Sequence, residues 1–215
     1  GVPYYIPGSY YFYLTYWQLD MGFPVFRKSD YKKALYWKWN EYNPFSYGMI
    51  EITKRRGGKS VFAAAMLTEY ATRTMRAICS MQSKTEEDAK KLFDYHVVTP
   101  FQSLSPIFIP KYDTNKGTKP EKKLSFYAAS SRGKNGVVSE EQIKSEISFV
   151  DSTPDKLDGQ KLARAIFDER GKVDFDLVDA HITVRKCLID WRGNIVGKMI
   201  VTTTVEEIGL KSKFF

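Results

Sequence analysis

The chain has 215 residues, of which 43% are hydrophobic and 27% charged, and its formal net charge is +8. That length suits one α/β domain with a sizeable core, and the basic charge favours polyanions such as nucleic acids or nucleotides as partners. No apolar run approaches the roughly 18 residues needed to span a bilayer. With no charged-then-apolar leader either, we expect a soluble, non-secreted protein with no membrane partner.

The N-terminal part of the chain is rich in aromatic residues. Residues 1–24 contain nine aromatic side chains and no Lys or Arg. Disordered segments are poor in aromatics, so we expect residues 1–47 to pack on a core formed by residues 48–215, or to line a pocket. Residues 26–39 predict a helix with Ser29 as its N-cap.

From residue 48 onward, predicted strands alternate with predicted helices. We predict strands at 49–52, 76–81, 123–130, 145–152, 161–167 and 197–204, and helices at 59–75, 83–98 and 175–190. Ser83 and Glu86 have the spacing of a capping box. Residues 99–120 and 131–142 have the composition of irregular loops. The alternation predicts an α/β fold with a mainly parallel central sheet flanked by helices.

The stretch "TKRRGGKS" ends like a phosphate-binding loop, and it lies between a predicted strand and a predicted helix. That placement directs backbone N–H groups and a helix N-terminus at an anion. Lys59 would contact the β- and γ-phosphates of ATP, and the Ser60 hydroxyl would bind Mg²⁺. The loop is unusual because Thr53 stands where the first glycine is expected. A basic turn that merely caps a helix is the alternative.

A second motif, "ARAIFDE", describes a buried strand that ends in two carboxylates, Asp168 and Glu169. In P-loop ATPases an aspartate at this place holds Mg²⁺ and a glutamate orients the attacking water. An exposed acidic turn is the alternative for any single Asp-Glu pair. The presence of a phosphate loop upstream favours the catalytic interpretation.

A third motif, "MIVTTT", is an apolar strand that ends in Thr202, Thr203 and Thr204. Hydroxyls at a strand end fit a sensor for the γ-phosphate. Ligands of open α/β sheets bind outside the carboxyl ends of the strands, where all three motifs would meet. Together they predict a P-loop NTPase of the RecA-like (ASCE) type.

With these motifs the chain resembles the ATPase domain of large terminase subunits, the motors that package DNA into tailed-phage capsids. Terminases often carry a deviant Walker A loop that lacks the first glycine and contains an arginine, here Arg55. "AIFDE" is similar to their Walker B strand and "VTTT" to their coupling motif. The aromatic stretch "SYYFYLTYWQLDMG" lies where terminases place adenine-recognition elements, with Gln18 as the base reader.

The resemblance implies Mg²⁺-dependent ATP hydrolysis that drives double-stranded DNA into a procapsid. It implies nucleotide binding by Thr53, Lys54, Arg55, Arg56, Gly57, Gly58, Lys59, Ser60 and Gln18. It also implies metal binding by Ser60 and Asp168, with Glu169, Arg55 and a trans-acting arginine as catalytic groups. Arg132 is our preferred trans-acting arginine. Arg164 is the other candidate, although its place on a core strand favours a structural role.

The same resemblance implies a portal protein and a small terminase subunit as partners, a homo-oligomeric ring, and location in the host cytoplasm with transient visits to the procapsid portal. Terminases continue into a nuclease domain, which this chain has no room for, so we expect a truncated chain without nuclease activity. The basic stretch 111–123 is a candidate contact to the DNA backbone, with a solvated lysine-rich surface as the alternative.

Three other functions remain open. A helicase or other nucleic-acid translocase shares the same core, but a helicase would need a second recombinase-like domain. A small-molecule P-loop kinase usually lacks the Glu beside the aspartate. A basic binding module would carry the Gly-Lys-Ser sequence by chance, and it would not bind ATP.

Overall fold

Six strands form one sheet at the centre of the molecule. A computed structural model describes residues 5–113, 119–126, 143–151, 153–172 and 177–204. The strands are β1 (Gly48–Thr53), β2 (Ile78–Gln82), β3 (Lys123–Ser125), β4 (Glu146–Val150), β5 (Arg164–Phe167) and β6 (Lys198–Thr204). Their order in the sheet is β1-β6-β5-β2-β4-β3. Among these described strands only the β3–β4 pairing is antiparallel, which confirms the predicted mainly parallel α/β sheet.

Helices connect and cover these strands. The α-helices are α1 (Gly8–Thr15), α2 (Lys28–Tyr42), α3 (Lys59–Arg73), α4 (Glu86–Phe93), α5 (Thr99–Gln102) and α6 (Leu177–Cys187). Short 3-10 turns span Pro106–Phe108, Pro154–Leu157 and Arg170–Lys172. None of the helices in the described ranges combines the length and the apolar character that a bilayer crossing requires.

Two of the predicted helix caps are wrong. Helix α2 begins at Lys28 after Arg27, without a side-chain capping bond, so Ser29 lies inside the helix. At α4 the N-cap is Thr85, whose side chain accepts the backbone N–H of Asp88 at 3.1 Å. Ser83 is buried directly after the end of β2, two residues too early to cap the helix.

Several element bounds also differ from the predictions. The predicted helix over 83–98 continues as a π-helical turn, Asp94–Val98, into α5, so part of the predicted loop 99–120 is helical. Strand β5 begins at Arg164, three residues later than predicted. Strand β3 is three residues long, and residues 127–142 lie outside the described part of the chain.

Helix α3 is the centre of the core. Its residues Ala63, Ala64 and Ala65 are fully buried. Their small side chains allow the helix to approach its neighbours closely. On its outer side α3 is covered by the N-terminal aromatic segment: Tyr10 and Tyr13 are buried, and the Tyr13 ring meets the Phe62 ring edge-on at 5.6 Å. Tyr10 and Tyr13 therefore belong to the same hydrophobic core as α3.

The sheet order determines which residues can meet. Strand β6 pairs in parallel with β1 on one side and with β5 on the other. The phosphate loop follows β1, the Asp-Glu pair follows β5, and the three threonines end β6. Since parallel strands bring their carboxyl ends to the same edge of a sheet, all three motifs lie at one edge, with the threonines in the middle.

Arg164 lies at the amino end of β5, away from that edge. Its guanidinium donates to Glu41 at 2.9 Å and lies 3.6 Å from the ring centroid of Tyr70. Both charged side chains are only 8% exposed. Arg164 therefore connects β5 to α2 and α3 inside the molecule, which is the structural role that its place on a core strand favoured.

We expect Arg164→Met to lower the free energy of unfolding by about 3–5 kcal/mol, because the buried Glu41 carboxylate loses its nearer cationic partner and keeps only the more distant Lys38, at 3.8 Å. Urea unfolding measures this loss. Lys91→Met is the matched control: Lys91 pairs with Glu87 at 2.7 Å, but both side chains are more than half exposed, so about 1 kcal/mol or less is expected. Equal losses in the two variants would contradict the assignment.

Candidate nucleotide site

The predicted phosphate loop, residues 53–60, begins at the end of β1 and closes on a left-handed turn. Gly58 has φ of 78° and Arg56 has φ of 60°. Such values suit glycine and strain an arginine, so the turn is held by its surroundings. Part of that support is Arg27, which donates from Nη2 to the Gly57 carbonyl at 3.1 Å and from Nε to Asp30 at 2.6 Å.

Lys59 and Glu169 meet across the end of β6. Lys59 is the first residue of α3 and is 5% exposed, and its Nζ lies 3.3 Å from a Glu169 carboxylate oxygen. Thr204 joins the two: its hydroxyl accepts from Lys59 at 3.1 Å and donates to Glu169 at 2.8 Å. A lysine from the phosphate loop and a glutamate from another strand are therefore already in contact.

A second contact of the same kind links Ser60 to Asp168. The Ser60 hydroxyl donates to the Asp168 carboxylate at 2.6 Å, and Thr202 donates to the same carboxylate oxygen. Hydroxyl and carboxylate oxygens are the hard ligands that Mg²⁺ takes in proteins, usually one or two of them together with phosphates and water. Within the described ranges no cluster of three or more His, Cys, Asp or Glu side chains offers a metal cage of its own. The Ser60–Asp168 pair therefore fits an ion that arrives with a nucleotide.

Glu169 is held in an uncommon conformation by several partners. Its φ is 54°, a left-handed value that costs a non-glycine residue free energy and is found mainly at functional sites. Its second carboxylate oxygen lies 2.5 Å from Lys172. Burial acts to raise the pKa of this carboxyl group, but the hydrogen bonds from Lys172 and Thr204 and the charge of Lys59 outweigh it and lower the pKa to about 2.

An open cleft of about 620 Å³ is lined by Lys59, Ser60, Asp168, Glu169 and Lys172, and it is large enough for a nucleotide. One wall is the phosphate loop, including Arg55 and Arg56. The opposite wall is formed by α4 and the π-helical turn after it, including Lys91 and His96. Six lysine or arginine side chains and four carboxylates line the cleft, so its charge favours an anionic ligand.

The structure brings together most of the predicted site residues but not all of them. Lys54 is exposed and lies outside the cleft lining, and Thr53 Oγ1 is buried without a hydrogen-bond partner among the described residues. Gln18 is exposed and likewise absent from the lining.

Strand alternation directs Thr203 to the face opposite Thr202 and Thr204. Arg132 lies outside the described residues.

Sequence reasoning missed two residues that contact the predicted site. Lys172 follows Glu169 by three residues on the turn Arg170–Lys172, and its signal was the basic pair in "DERGK". Arg27 contacts the phosphate loop from 30 residues upstream. No local pattern identifies that contact, because it depends on how α2 packs beside β1.

The lowered pKa of Glu169 predicts a pH-dependent contribution to stability. A carboxylate whose folded pKa lies below its ordinary 4.5 stabilises the fold at pH above 4.5, and that contribution disappears as the pH falls towards about 2. We expect wild-type protein to be more stable than Glu169→Gln at neutral pH, and the difference to shrink as the pH falls from 4.5 towards about 2. Urea unfolding at each pH measures it.

The control for this experiment is Glu87→Gln, which removes a carboxylate that is 77% exposed in its pair with Lys91. Its stability difference from wild type should stay small at every pH. A Glu169→Gln difference that did not change with pH would contradict the assigned pKa.

Comparison with known proteins identifies the fold. No protein-family model matches the sequence, and no curated protein matches it either. Among solved structures, the large terminase of bacteriophage HK97 superposes with a TM-score of 0.63 at 17% identity, over 91% of this chain and 36% of that one. The large terminase of a thermophilic bacteriophage gives a TM-score of 0.53 at 16% identity, over 84% of this chain and 39% of that one.

The chain therefore spans a little over a third of the length of either terminase. Identities this low establish a shared fold and leave residue roles to be argued from the site itself. The fold is nevertheless the one that the three sequence motifs predicted. This chain shares its α/β fold, with a mainly parallel central sheet flanked by helices, with these phage large terminases.

Proposed function

We propose that this chain is the ATP-hydrolysing motor domain of a viral large terminase subunit, which drives double-stranded DNA into a procapsid. The observation that carries the proposal is the contact between Lys59 and Glu169 through Thr204. It joins the phosphate loop, the Asp-Glu strand and the threonine strand in one cleft. A basic turn that capped a helix by chance would have no reason to meet both other motifs.

In this proposal Lys59 binds the β- and γ-phosphates of ATP, and Arg55, at the cleft wall, neutralises further phosphate charge. Ser60 and Asp168 hold Mg²⁺, which supplies charge neutralisation on the phosphates. Glu169 lies beside the lysine that binds the γ-phosphate, and it accepts hydrogen bonds readily because it is ionised at neutral pH. It is the group that orients the attacking water, and it takes the proton once Lys59 turns to the phosphates, because the loss of that cation raises the pKa of Glu169.

Thr204 connects the Lys59–Glu169 pair to strand β6, so that loss of the γ-phosphate would change contacts made by the sheet. Its hydroxyl contacts both Lys59 and Glu169, and Thr202 contacts Asp168. Both threonines lie on β6, the strand between the other two motif strands. A change in the partners of Lys59 or Asp168 therefore acts directly on the end of β6, which is the place of the proposed coupling motif.

The wider assignments belong to the same proposal. Residues 1–47 form a segment that packs on the ATPase core of residues 48–215. A portal protein, a small terminase subunit and a homo-oligomeric ring are the partners of the intact motor, in the cytoplasm of the host. A trans-acting arginine, with Arg132 as the candidate, completes the site.

We expect Lys59→Ala to weaken ATP binding roughly tenfold to hundredfold, since it removes hydrogen bonds from a charged donor to phosphate. Glu169→Gln should keep ATP binding and lower turnover by roughly 10²–10⁴-fold, the usual loss for a general base. Fluorescent-nucleotide titration measures binding, and phosphate release measures turnover. Lys186→Ala, an exposed lysine of α6, is the control and should change neither.

If the unmodified chain bound no nucleotide, the phosphate-loop assignment would fail and a basic binding module would remain. If Lys59→Ala and Lys186→Ala bound ATP equally well, the loop would not be the phosphate site even though the chain binds nucleotide.

Duplex DNA is expected to raise the turnover number severalfold, and the increase should diminish between about 50 and 200 mM salt because contacts to the DNA backbone release counterions. Phosphate release with duplex DNA, with single-stranded DNA and without DNA measures it. Stimulation by single strands alone would favour a helicase-like translocase over a packaging motor. No response to either would contradict the coupling to DNA and leave an ATPase.

A further inference from the structure

Gln82, the last residue of β2, contacts the Asp168–Glu169 segment from both sides. Its backbone carbonyl accepts the N–H of Asp168 at 2.8 Å. Its side-chain oxygen accepts from Arg170 Nη1 at 2.7 Å. One residue therefore holds the chain immediately before and immediately after Glu169.

The other end of the Gln82 amide is anchored to the loop after β4. Its nitrogen donates to the carbonyl of Asp151 at 2.7 Å and to that of Thr153 at 3.0 Å. The Asp151 carboxylate in turn accepts from the backbone and the hydroxyl of Thr153 and pairs with Lys156 at 3.2 Å. Gln82 thus connects Asp151 and Thr153 to the turn that carries Glu169.

The chemistry of these partners requires a glutamine. Carbonyl oxygens only accept hydrogen bonds and a guanidinium only donates them, so the orientation of the amide is determined by its three partners. The Gln82 side chain is buried, with 2% of the residue exposed. A buried amide with both ends engaged is worth more than the sum of its single bonds, and it fixes one arrangement of its neighbours.

Arg170 is suited to transmit this restraint. It is 9% exposed and its guanidinium lies 4.8 Å from the ring centroid of Phe167, the residue that precedes Asp168. Burial lowers the pKa of its guanidinium to about 10, and the group remains charged at neutral pH. The Arg170 side chain is therefore packed back along the strand whose end bears the two carboxylates.

Glu169 needs such a restraint because its backbone has an unfavourable, left-handed conformation. With φ of 54° it occupies a conformation that a non-glycine residue keeps only where its surroundings over-determine it. Gln82 supplies one bond on each side of that residue. Lys172 and Thr204 contact the carboxylate itself, but neither holds the backbone before it.

We propose that Gln82 is a positioning residue for hydrolysis, which acts through Arg170 to keep Glu169 in place relative to the phosphate loop. This inference rests on the proposed ATPase function. Because Gln82 is absent from the cleft lining, it positions the reaction without touching nucleotide. Its loss should therefore lower kcat and leave nucleotide affinity unchanged.

The test compares two substitutions of nearly equal size. Gln82→Met removes the bonds at both ends of the amide. Gln82→Glu keeps an acceptor for Arg170 but has no donor for the Asp151 and Thr153 carbonyls. We expect kcat to fall about tenfold to hundredfold in Gln82→Met, with Kd for ATP within about twofold of wild type, and to recover most of that loss in Gln82→Glu.

A double-mutant cycle identifies the route. If Gln82 acts through Arg170, then Arg170→Met should lower kcat about as much as Gln82→Met, and the double variant should lose no more than either single variant. Additive losses would overturn the inference. So would a kcat in Gln82→Glu as low as in Gln82→Met, since the loop contact alone would then be responsible.

The unfolding midpoint of each variant separates positioning from general stability. Gln82→Glu should be destabilised, because its carboxylate faces two carbonyl oxygens, and yet turn over faster than Gln82→Met. If kcat instead followed stability across the series, Gln82 would have only a structural role. If Gln82→Met failed to fold, Gln82→Glu and Arg170→Met would still decide the question through kcat.

Wild type and Glu169→Gln distinguish failure of this inference from failure of the proposed function. Where wild type hydrolyses ATP and Glu169→Gln does not, unchanged kcat in Gln82→Met overturns the positioning role alone. Where wild type does not hydrolyse ATP, the proposed function fails and the inference falls with it.

Discussion

The ion pair between Lys59 and Glu169 is the interaction on which the rest of the site depends. Lys59 is 5% exposed, and an ammonium group in such a place is costly unless it is paired and hydrogen-bonded. Glu169 supplies the opposite charge at 3.3 Å and Thr204 supplies the bridging hydroxyl. Because the three residues come from three segments far apart in the chain, the pair requires those segments to end at the same place.

The position of β6 meets that requirement. With β6 between β1 and β5, the loop lysine and the glutamate stand on either side of a strand whose alternate residues point to them. Thr202 faces Asp168 and Thr204 faces Glu169, two residues apart on one face, as a strand dictates. A sheet that paired β1 directly with β5 would bring the two charges together without hydroxyls between them.

The sequence contained the site's main groups because each motif is local and lies at the end of an apolar strand. The fold class could be predicted for the same reason, because the alternation of strands and helices can be recognised along the chain. Features that depend on how the helices and strands pack could not be predicted from the sequence. Ser29 and Ser83 have capping chemistry, but the helices begin elsewhere. Gln18 is exposed and outside the cleft lining, so its contact to the base stays a prediction. Gln82 lies one residue beyond the predicted strand 76–81, and only its distant partners give it a role.

The same buried pair limits how an anion can enter the cleft. Lys59 already has Glu169 and Thr204 as partners, so a phosphate that binds Lys59 competes with Glu169 for one ammonium group. Lys172 contacts the other carboxylate oxygen of Glu169 and is not part of that competition. Glu169 would therefore keep one cationic partner while the other turned to the ligand. An anion at the phosphate loop thus changes the surroundings of the glutamate, and the restraint on its backbone decides where the carboxylate oxygen that Lys59 leaves to Thr204 points.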